Sequence, residues 1–335
     1  MLRLTHETAT LRLARPFRIS GYVFETAEVL VVTLDDGTHR GRGEGAGAYY
    51  LGDDLAHMVA DVEQARAAIE AGPSREALRG IMPAGGGRNA VDAALWDLEA
   101  ARAGIPVWRL AGLDAEPQPI VTTFTVGADT PDAMAATARG YANATSIKVK
   151  LTGDLALDLD RVAAIRAARA DVWLGVDGNQ GYARGDLQAL VDGLSRHRVS
   201  LLEQPLARGR EAELDGFRSA IPIAGDESLL TLADVAPAKG RFDVVNIKLD
   251  KCGGLTEGLL MAAEARRLGL GVMVGTMIGS SLATAPGFVL GQLADLVDLD
   301  GPTFLAQDRG PSVTYADGTL YAGPEVWGSG VRTAL

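Results

Sequence analysis

The sequence Ser146-Ile-Lys-Val-Lys-Leu151 is the first of five β-like runs that each carry a charged residue at or near their end. The other four follow at intervals of roughly two dozen residues, the length of one strand plus one helix: Trp173-Leu-Gly-Val-Asp-Gly-Asn179, Leu201-Leu-Glu-Gln-Pro205, Ile223-Ala-Gly-Asp-Glu227 and Val244-Val-Asn-Ile-Lys-Leu249. Strands of a parallel barrel present their C-terminal ends on one face, where catalysis in that fold takes place. The series therefore predicts an α/β barrel whose catalytic face carries Lys150, Asp177, Glu203, Asp226 and Lys248.

Regular alternation of strand-like and helix-like segments extends from residue 116 to residue 302. A strand over residues 120–126 precedes a helix that begins at Thr130-Pro131, with proline at the first helical position. The last strand covers residues 296–299. We expect eight strands with seven helices between them, which is a modified (β/α)7β TIM barrel, one helix short of the standard eight.

Residues 1–115 have a different pattern, which predicts an α+β capping domain. Two strands, over residues 2–13 and 26–34, precede the turn signal Asp35-Asp-Gly37. The Gly-rich stretch at residues 41–47 is not followed by a helix start, so we expect a tight β-turn and not a dinucleotide loop. Helices are predicted at residues 55–70, capped by Asp53 or Asp54, and at residues 89–102.

The C-terminal tail, residues 303–335, contains a hairpin signal at Asp317-Gly318. We expect this hairpin to return to the N-terminal sheet and to complete the capping domain, because the barrel already has its eight strands.

Composition excludes several classes of function. A chain of 335 residues with 47% apolar residues can bury a full core, and its net charge of −11 argues against nucleic-acid or anionic-membrane partners. Cys252 is the only cysteine, so an intramolecular disulfide is impossible and a reducing compartment is expected. The N-terminus lacks the apolar core of a signal peptide, and no apolar run approaches membrane-spanning length. We expect a cytoplasmic protein; whether it forms a homo-oligomer is open.

Asp177, Glu203 and Asp226 lie at the ends of neighbouring predicted strands. Hard cations such as Mg²⁺ bind oxygen ligands, and three clustered carboxylates repel one another unless a cation neutralises them. Each aspartate or glutamate alone could instead cap the helix that follows its strand. Because all three occupy corresponding positions, we interpret them as metal ligands.

Three lysines flank this group. Lys148 and Lys150 are two residues apart on one strand, so their side chains share a face, and two adjacent ammonium groups lower each other's pKa. Lys248 lies on the sixth strand, across the barrel. Alternating lysines are more often solvated edge charges; next to a metal site, two opposed lysines suit proton exchange at one carbon atom.

Asp298 and Asp300 share a face at the end of the eighth strand. Two carboxylates there suit a cationic group on a substrate, typically an ammonium. The alternative is a pair of turn and cap residues before Gly301-Pro302.

These features resemble the enolase superfamily, in its muconate-lactonizing subgroup, and within that subgroup the dipeptide epimerases. The resemblance covers the whole chain and is carried by Ile81-Met-Pro-Ala-Gly85, Arg88-Asn-Ala-Val-Asp-Ala-Ala-Leu-Trp-Asp-Leu98, Lys148-Val-Lys150, Asp177-Gly-Asn179, Glu203-Gln-Pro205, Asp226-Glu-Ser228, Asn246-Ile-Lys-Leu-Asp-Lys-Cys-Gly-Gly-Leu255 and Asp298-Leu-Asp300.

The resemblance implies an isomerase that inverts the α-carbon of the C-terminal residue of L-Ala-L/D-Xaa dipeptides. It implies one Mg²⁺, replaceable by Mn²⁺, on Asp177, Glu203 and Asp226, with Asn179 and Glu227 beside them. Lys150 and Lys248 would then be the acid/base pair with Lys148 assisting, and Asp298 and Asp300 would hold the substrate ammonium. Alternatives are N-acylamino-acid racemase, o-succinylbenzoate synthase or cycloisomerase activity, a lysine Schiff-base lyase, and a non-catalytic binding protein.

One departure from the family pattern concerns the second residue of the dipeptide. In family members that act on Ala-Glu, the loop after a Pro-Phe pair carries an arginine for the side-chain carboxylate. Here the loop is Pro16-Phe-Arg-Ile-Ser-Gly-Tyr-Val-Phe24, with Arg18 near its start and apolar residues further on. We expect Tyr22, Val23 and Phe24 to line the specificity pocket, which weakens the assignment to Ala-Glu and leaves room for a hydrophobic or other second residue.

Overall fold

The computed structural model describes residues 1–330. Its N-terminal part is an antiparallel sheet covered by helices. Strands β1 (Arg3–Ile19), β2 (Tyr22–Asp35) and β3 (Arg40–Ala46) lie in that order, and they are followed by helices α1 (Leu55–Glu70), α2 (Arg75–Ile81), α3 (Gly86–Ala103) and α4 (Val107–Leu110). Asp54 caps α1, as predicted, by accepting a hydrogen bond from the His57 amide at 2.9 Å. Leu30, Val32 and Leu34 of β2 are fully buried beneath the helices.

The Gly-rich stretch forms strand β3 and not the expected tight turn. Its glycines allow α3 to approach the sheet closely: a Cβ on Gly41 would lie 2.1 Å from the Ala94 carbonyl oxygen, and one on Gly43 would lie 2.2 Å from the Ala90 carbonyl oxygen. Glycine inside a strand commonly marks such a close backbone approach. The stretch therefore sets the distance between helix and sheet.

The barrel follows the sequence prediction closely. After the short strand β4 (Ile120–Val121), eight parallel strands lie side by side in chain order: β5 (Phe124–Val126), β6 (Ser146–Lys150), β7 (Trp173–Asp177), β8 (Leu201–Glu203), β9 (Ile223–Gly225), β10 (Val244–Lys248), β11 (Gly271–Gly275) and β12 (Leu296–Asp298). The first and last strands are joined by a 2.9 Å hydrogen bond from the Thr123 amide to the Val297 carbonyl, which nearly closes the barrel. The predicted α/β barrel with an N-terminal α+β part is confirmed.

Within residues 1–330, one of the seven connections between barrel strands lacks the expected α-helix. The helices around the barrel are α5 (Pro131–Gly140), α6 (Leu155–Ala168), α7 (Leu187–Arg196), α8 (Leu232–Ala238), the one-turn α9 (Leu249–Cys252), α10 (Leu255–Leu268) and α11 (Ser281–Gly291). Within the described residues, the connection from β8 to β9 holds only a 3₁₀ turn, Glu211–Leu214. Gly209 and Gly216, on either side of this turn, adopt left-handed conformations with φ of 90° and 75°. Because a right-handed helix cannot continue through such a residue, the turn does not extend in either direction.

The C-terminal hairpin lies elsewhere than predicted. Strand β13 (Thr314–Ala316) pairs with β14 (Thr319–Tyr321), and β14 pairs with β4, which leads into the barrel; neither strand joins the N-terminal sheet. The tail contacts the N-terminal part on both sides of the hairpin: the Ala306 amide donates to the Arg12 carbonyl at 2.8 Å before it, and the Trp327 indole donates to the Arg42 carbonyl at 2.9 Å after it. Strand pairing between distant segments is set by tertiary contacts, which a local turn signal does not contain.

No helix among residues 1–330 has the length and hydropathy that a membrane crossing requires.

Candidate active site

The three predicted metal ligands meet at the C-terminal face of the barrel. The register of the strands places Asp177 of β7 level with Glu203 of β8, and Asp226 follows β9 directly. All three side chains are buried, and one ligand oxygen from each lies within 4.8 Å of the others. Burial, together with the charge of Asp177, raises the pKa of Glu203 to about 7. Such mutual repulsion and an all-oxygen donor set fit a hard divalent cation.

Neighbouring polar groups hold two of these carboxylates in place. Glu203 accepts a 2.8 Å hydrogen bond from the Asn246 side chain, and Asp177 accepts one of 2.9 Å from the Asn179 amide. The Asn179 side chain in turn donates to Glu227 at 3.3 Å. Burial and the adjacent Asp226 raise the pKa of Glu227 to about 8. Asn179 and Glu227 therefore lie beside the three carboxylates.

Lys150 and Lys248 contact different members of the carboxylate group. The Lys150 ammonium donates to Asp177 at 2.6 Å, and the Lys248 ammonium donates to Asp226 at 2.7 Å. Both lysines are buried, with 7% of their surface exposed. The structure thus brings one lysine to each end of the Asp177–Glu203–Asp226 row.

Lys148 is more heavily paired than its neighbour on β6. Its ammonium lies 2.5 Å from an Asp298 oxygen, 2.9 Å from Glu203 and 3.6 Å from Asp177. Burial favours the neutral amine, but these carboxylates outweigh it and raise the pKa of Lys148 well above its usual value. The expectation that adjacent lysines lower each other's pKa is therefore wrong for Lys148, because opposite charges lie closer than the like charge.

Lys251 also belongs to the site and was missed from the sequence. Its ammonium donates to an Asp226 carboxylate oxygen and to the Asp226 carbonyl, both at 2.6 Å, and to the Asn246 carbonyl at 3.0 Å. All three of its protons are thereby used to hold the ends of β9 and β10 together. A compositional signal was available: four of the chain's five lysines, all except Lys239, lie in this site.

Asp298 and Asp300 are buried at the mouth, 5% and 4% exposed. Asp298 accepts hydrogen bonds from Lys148 and from the Thr123 hydroxyl. The Asp300 carboxylate accepts from the Thr125 amide at 2.6 Å, and burial together with Asp298 raises its pKa to about 7. Asp300 makes no side-chain cap to the turn Gly301–Phe304, which removes the main support for the alternative of simple cap residues.

Aromatic rings gather beside the site at the tip of the β1–β2 hairpin. The ring centroids of Tyr22 and Phe24 lie 6.1 Å apart in a stacked arrangement. The Tyr49 ring packs edge-on against both, with centroid distances of 4.5 Å to Tyr22 and 5.2 Å to Phe24. Burial raises the pKa of the Tyr49 phenol; Lys248 opposes this shift, whereas Glu227 and Asp226 add to it, which locates Tyr49 near the carboxylates. The expected loop is a hairpin, and Tyr49, like its neighbour Tyr50, was not singled out from the sequence.

Arg18 and Val23 lie beside a cleft at this hairpin. They line this cleft, of about 500 Å³, together with Ile19, Gly21, Tyr22, Ala128, Asp129, Thr130, Thr152 and Arg161. Tyr22 and Val23 are 45% and 58% exposed.

Two family models match the chain. "Mandelate racemase / muconate lactonizing enzyme, N-terminal domain" matches residues 3–112, and "Enolase C-terminal domain-like" matches residues 133–332. The L-Ala-D/L-Glu epimerase of Escherichia coli is 39% identical over 308 residues, covering 91% of this chain and 95% of the relative. The hydrophobic dipeptide epimerase of Roseobacter litoralis is 35% identical and covers 95% of each.

Solved structures agree with these relatives. An enolase family member from Agrobacterium tumefaciens, with homology to dipeptide epimerases and with sodium and L-Ala-L-Glu bound, superposes with a TM-score of 0.94 at 38% identity, over 98% of this chain and all of that one. The dipeptide epimerase of Methylococcus capsulatus, complexed with Mg and L-Arg-D-Lys, gives 0.90 at 29% identity over 99% of both chains. The chain belongs to the enolase superfamily, with the N-terminal and barrel domains of its mandelate racemase and muconate-lactonizing branch.

Proposed function

We propose that the protein is a Mg²⁺-dependent dipeptide epimerase that inverts the α-carbon of the C-terminal residue of L-Ala-Xaa dipeptides. The observation that carries this proposal is the row of three buried carboxylates with a lysine at each end, in a chain whose relatives include proteins named dipeptide epimerases.

Asp177, Glu203 and Asp226 would hold the metal. When bound, Mg²⁺ supplies positive charge beside a substrate carboxylate and so favours loss of the adjacent α-proton. Asn246 and Asn179 orient Glu203 and Asp177, and Lys251 fixes Asp226 from the side of the strand ends. Mn²⁺ accepts the same oxygen ligands, so we propose that it substitutes for Mg²⁺.

Lys150 and Lys248 would exchange the proton. One lysine takes the α-proton from its face of the carbon and the other returns a proton to the opposite face, which inverts the centre. Lys148 is tied to Asp298, Glu203 and Asp177, so its role is electrostatic and it moves no proton. Epimerisation needs both exchanging lysines, whereas proton exchange on one face needs only one.

Asp298 and Asp300 would bind the N-terminal ammonium of the dipeptide. Asp298 is already paired with Lys148, so Asp300 has the freer carboxylate for an incoming cation. This requirement for a free ammonium distinguishes the proposal from N-acylamino-acid racemisation and cycloisomerisation, whose substrates have none.

The aromatic cluster supports a hydrophobic second residue. Tyr22, Phe24 and Tyr49 present ring faces and edges at the mouth, and we propose that they cover the substrate side chain. Arg18, the one cation of the loop that follows Pro16-Phe17, lines the neighbouring cleft together with Tyr22.

A panel of dipeptides incubated with enzyme and Mg²⁺ in D₂O tests the proposal. The panel should include Ala-Leu, Ala-Phe, Ala-Glu and the N-acetyl form of each. We expect a mass gain of one deuterium in free dipeptides, with Ala-Leu competing well with Ala-Glu. Exchange confined to N-acetylated compounds would replace the proposal with a racemase, and a preference for Ala-Glu above a hundredfold would overturn the assignment of the aromatic cluster.

We also propose, as a division by architecture, a capping domain at residues 1–115, a barrel at 116–302 and a tail at 303–335. A cytoplasmic location is proposed on the basis of the free, buried thiol of Cys252.

A further inference from the structure

One face of α3 carries four buried polar side chains that contact the chain segment directly after Lys248. These side chains are 1–5% exposed: Arg88, Asn89, Asp92 and Trp96. Arg88, Asp92 and Trp96 are spaced four residues apart and Asn89 is adjacent to Arg88, so the four lie on one face of the helix. The segment they contact runs from Asp250 in α9 to Thr256 in the first turn of α10. We name this set of contacts the α3 seam.

The α3 seam is made of specific hydrogen bonds. Asn89 donates to an Asp250 oxygen at 2.7 Å, and the same oxygen accepts from the Ala46 amide at 2.9 Å. Asp92 accepts from the amide and the hydroxyl of Thr256, at 3.1 and 2.5 Å. Trp96 donates to that hydroxyl at 3.0 Å. Arg88 also donates to the carbonyls of Cys252 and Gly253. Helix α3 therefore holds the segment at three places: Asp250, the Cys252–Gly253 carbonyls and Thr256.

Two glycines allow the helix to come this close. Gly253 and Gly254 have φ of 79° and 120°, a region that disfavours side chains. A Cβ on Gly253 would lie 2.2 Å from the Arg88 Nε, and one on Gly254 would lie 2.4 Å from an Asp92 oxygen. The sequence Lys251-Cys-Gly-Gly254 thus serves the seam as well as the site.

The seam acts at the point where Lys248 leaves its strand. Lys248 is the last residue of β10 and the N-cap of α9, and Asp250 lies two residues further on. A shift of α9 therefore changes the direction of the chain at Lys248. The loop after Lys150 is held differently: Asp158 of α6 accepts from the Thr152 and Gly153 amides, at 3.0 and 2.9 Å, which are contacts inside the barrel.

We propose that Asn89 and Asp92 are positioning residues for Lys248 and not for Lys150. The inference rests on the proposed two-lysine epimerase. Its consequence is one-sided: weakening the seam impairs the proton exchange carried out by Lys248 and leaves that of Lys150 in place. A general loosening of the barrel would impair both.

The test measures exchange of the α-proton of the C-terminal residue in D₂O with Mg²⁺, starting separately from each purified epimer of a dipeptide. Asn89→Leu has nearly the shape of asparagine but removes the donor to Asp250. Thr256→Val is a second, isosteric variant that removes the hydroxyl between Asp92 and Trp96 and retains the amide. Asp97→Asn is the matched control, because Asp97 lies on α3 but accepts from the Arg42 and Gly328 amides, at 2.9 and 3.0 Å, away from the seam.

We expect each seam variant to exchange the α-proton of one epimer at least tenfold more slowly than wild type. Exchange of the other epimer should stay within twofold of wild type, and the rate of epimerisation should fall to that of the slower exchange. The control should retain both rates within twofold. Equal slowing of both epimers, or no slowing in a folded seam variant, would overturn the positioning role. If the wild type exchanges neither epimer of any dipeptide, the proposed function itself fails; if the wild type exchanges both, only the seam variants decide the inference.

Discussion

Lys150 and Lys248 contact carboxylates at opposite ends of the Asp177–Glu203–Asp226 row, and in the proposed mechanism this separation lets them act on opposite faces of one carbon. Lys150→Ala and Lys248→Ala should each abolish epimerisation, since neither remaining lysine reaches both faces. Each variant should still exchange the α-proton of one epimer with solvent, and the two variants should retain opposite epimers. Near wild-type epimerisation by both variants would contradict the two-base mechanism. Lys239→Ala, a change to the exposed lysine outside the site, is the control.

Asp298 and Asp300 allow a prediction about substrate charge. N-acetylation of a dipeptide removes the ammonium and leaves the buried Asp300 carboxylate without its proposed partner, a penalty of about 2–5 kcal/mol. The change of both residues to Asn should raise KM for free dipeptides far more than for N-acetylated ones. Steady-state kinetics with matched free and acetylated dipeptides measures this. Equal effects on both substrate forms would mean that the ammonium binds elsewhere.

Most residues of the site could be predicted from the sequence because their positions repeat. Asp177, Glu203 and Lys248 each end a strand, and a parallel barrel aligns strand ends. Lys251 could not be found this way, because it lies on a one-turn helix that has no periodicity. The pairing of Lys148 with three carboxylates also depends on side-chain directions that spacing does not define.

At the scale of elements, the contact between β3 and α3 depends on glycines. Gly43→Ala would place a methyl group 2.2 Å from the Ala90 carbonyl, and backbone on both sides leaves little room to move. We expect a loss of about 1–3 kcal/mol in the free energy of unfolding, as for overpacked cores. Gly80→Ala is the control, because no atom lies within 4 Å of its added Cβ. Denaturant unfolding measures both, and equal stabilities of the two variants would contradict the role of β3.

The fold was predictable where local pattern decides the structure and not where distant segments pair. The helix at Leu55–Glu70 and its Asp54 cap follow from sequence signals alone. The β13–β14 hairpin was recognisable, but its partner β4 lies almost two hundred residues away, and nothing in the turn indicates it. The missing helix after β8 is explained by Gly209 and Gly216, which a count of strand intervals overlooks.

At the scale of the whole molecule, the metal should couple function to stability. Mg²⁺ relieves repulsion among three buried carboxylates, so at a hundredfold excess over its Kd it should stabilise the fold by about 2.7 kcal/mol. Asp177→Asn, Glu203→Gln and Asp226→Asn should each weaken this effect, and excess EDTA should abolish activity until Mg²⁺ or Mn²⁺ is restored. Thermal unfolding with and without Mg²⁺ provides the measurement. Full activity in excess EDTA would contradict the metal assignment.

The central claim is that one α-carbon, that of the C-terminal residue, is deprotonated and reprotonated from both faces. Proton NMR of L-Ala-L-Leu in D₂O with the enzyme and Mg²⁺ tests this most directly. The claim predicts that the α-proton signal of the leucine residue disappears while the L,D diastereomer accumulates with deuterium at that position, and that the α-proton of alanine persists. Unchanged leucine signals for this dipeptide and for every other member of the panel, or exchange at the alanine residue instead, would contradict it.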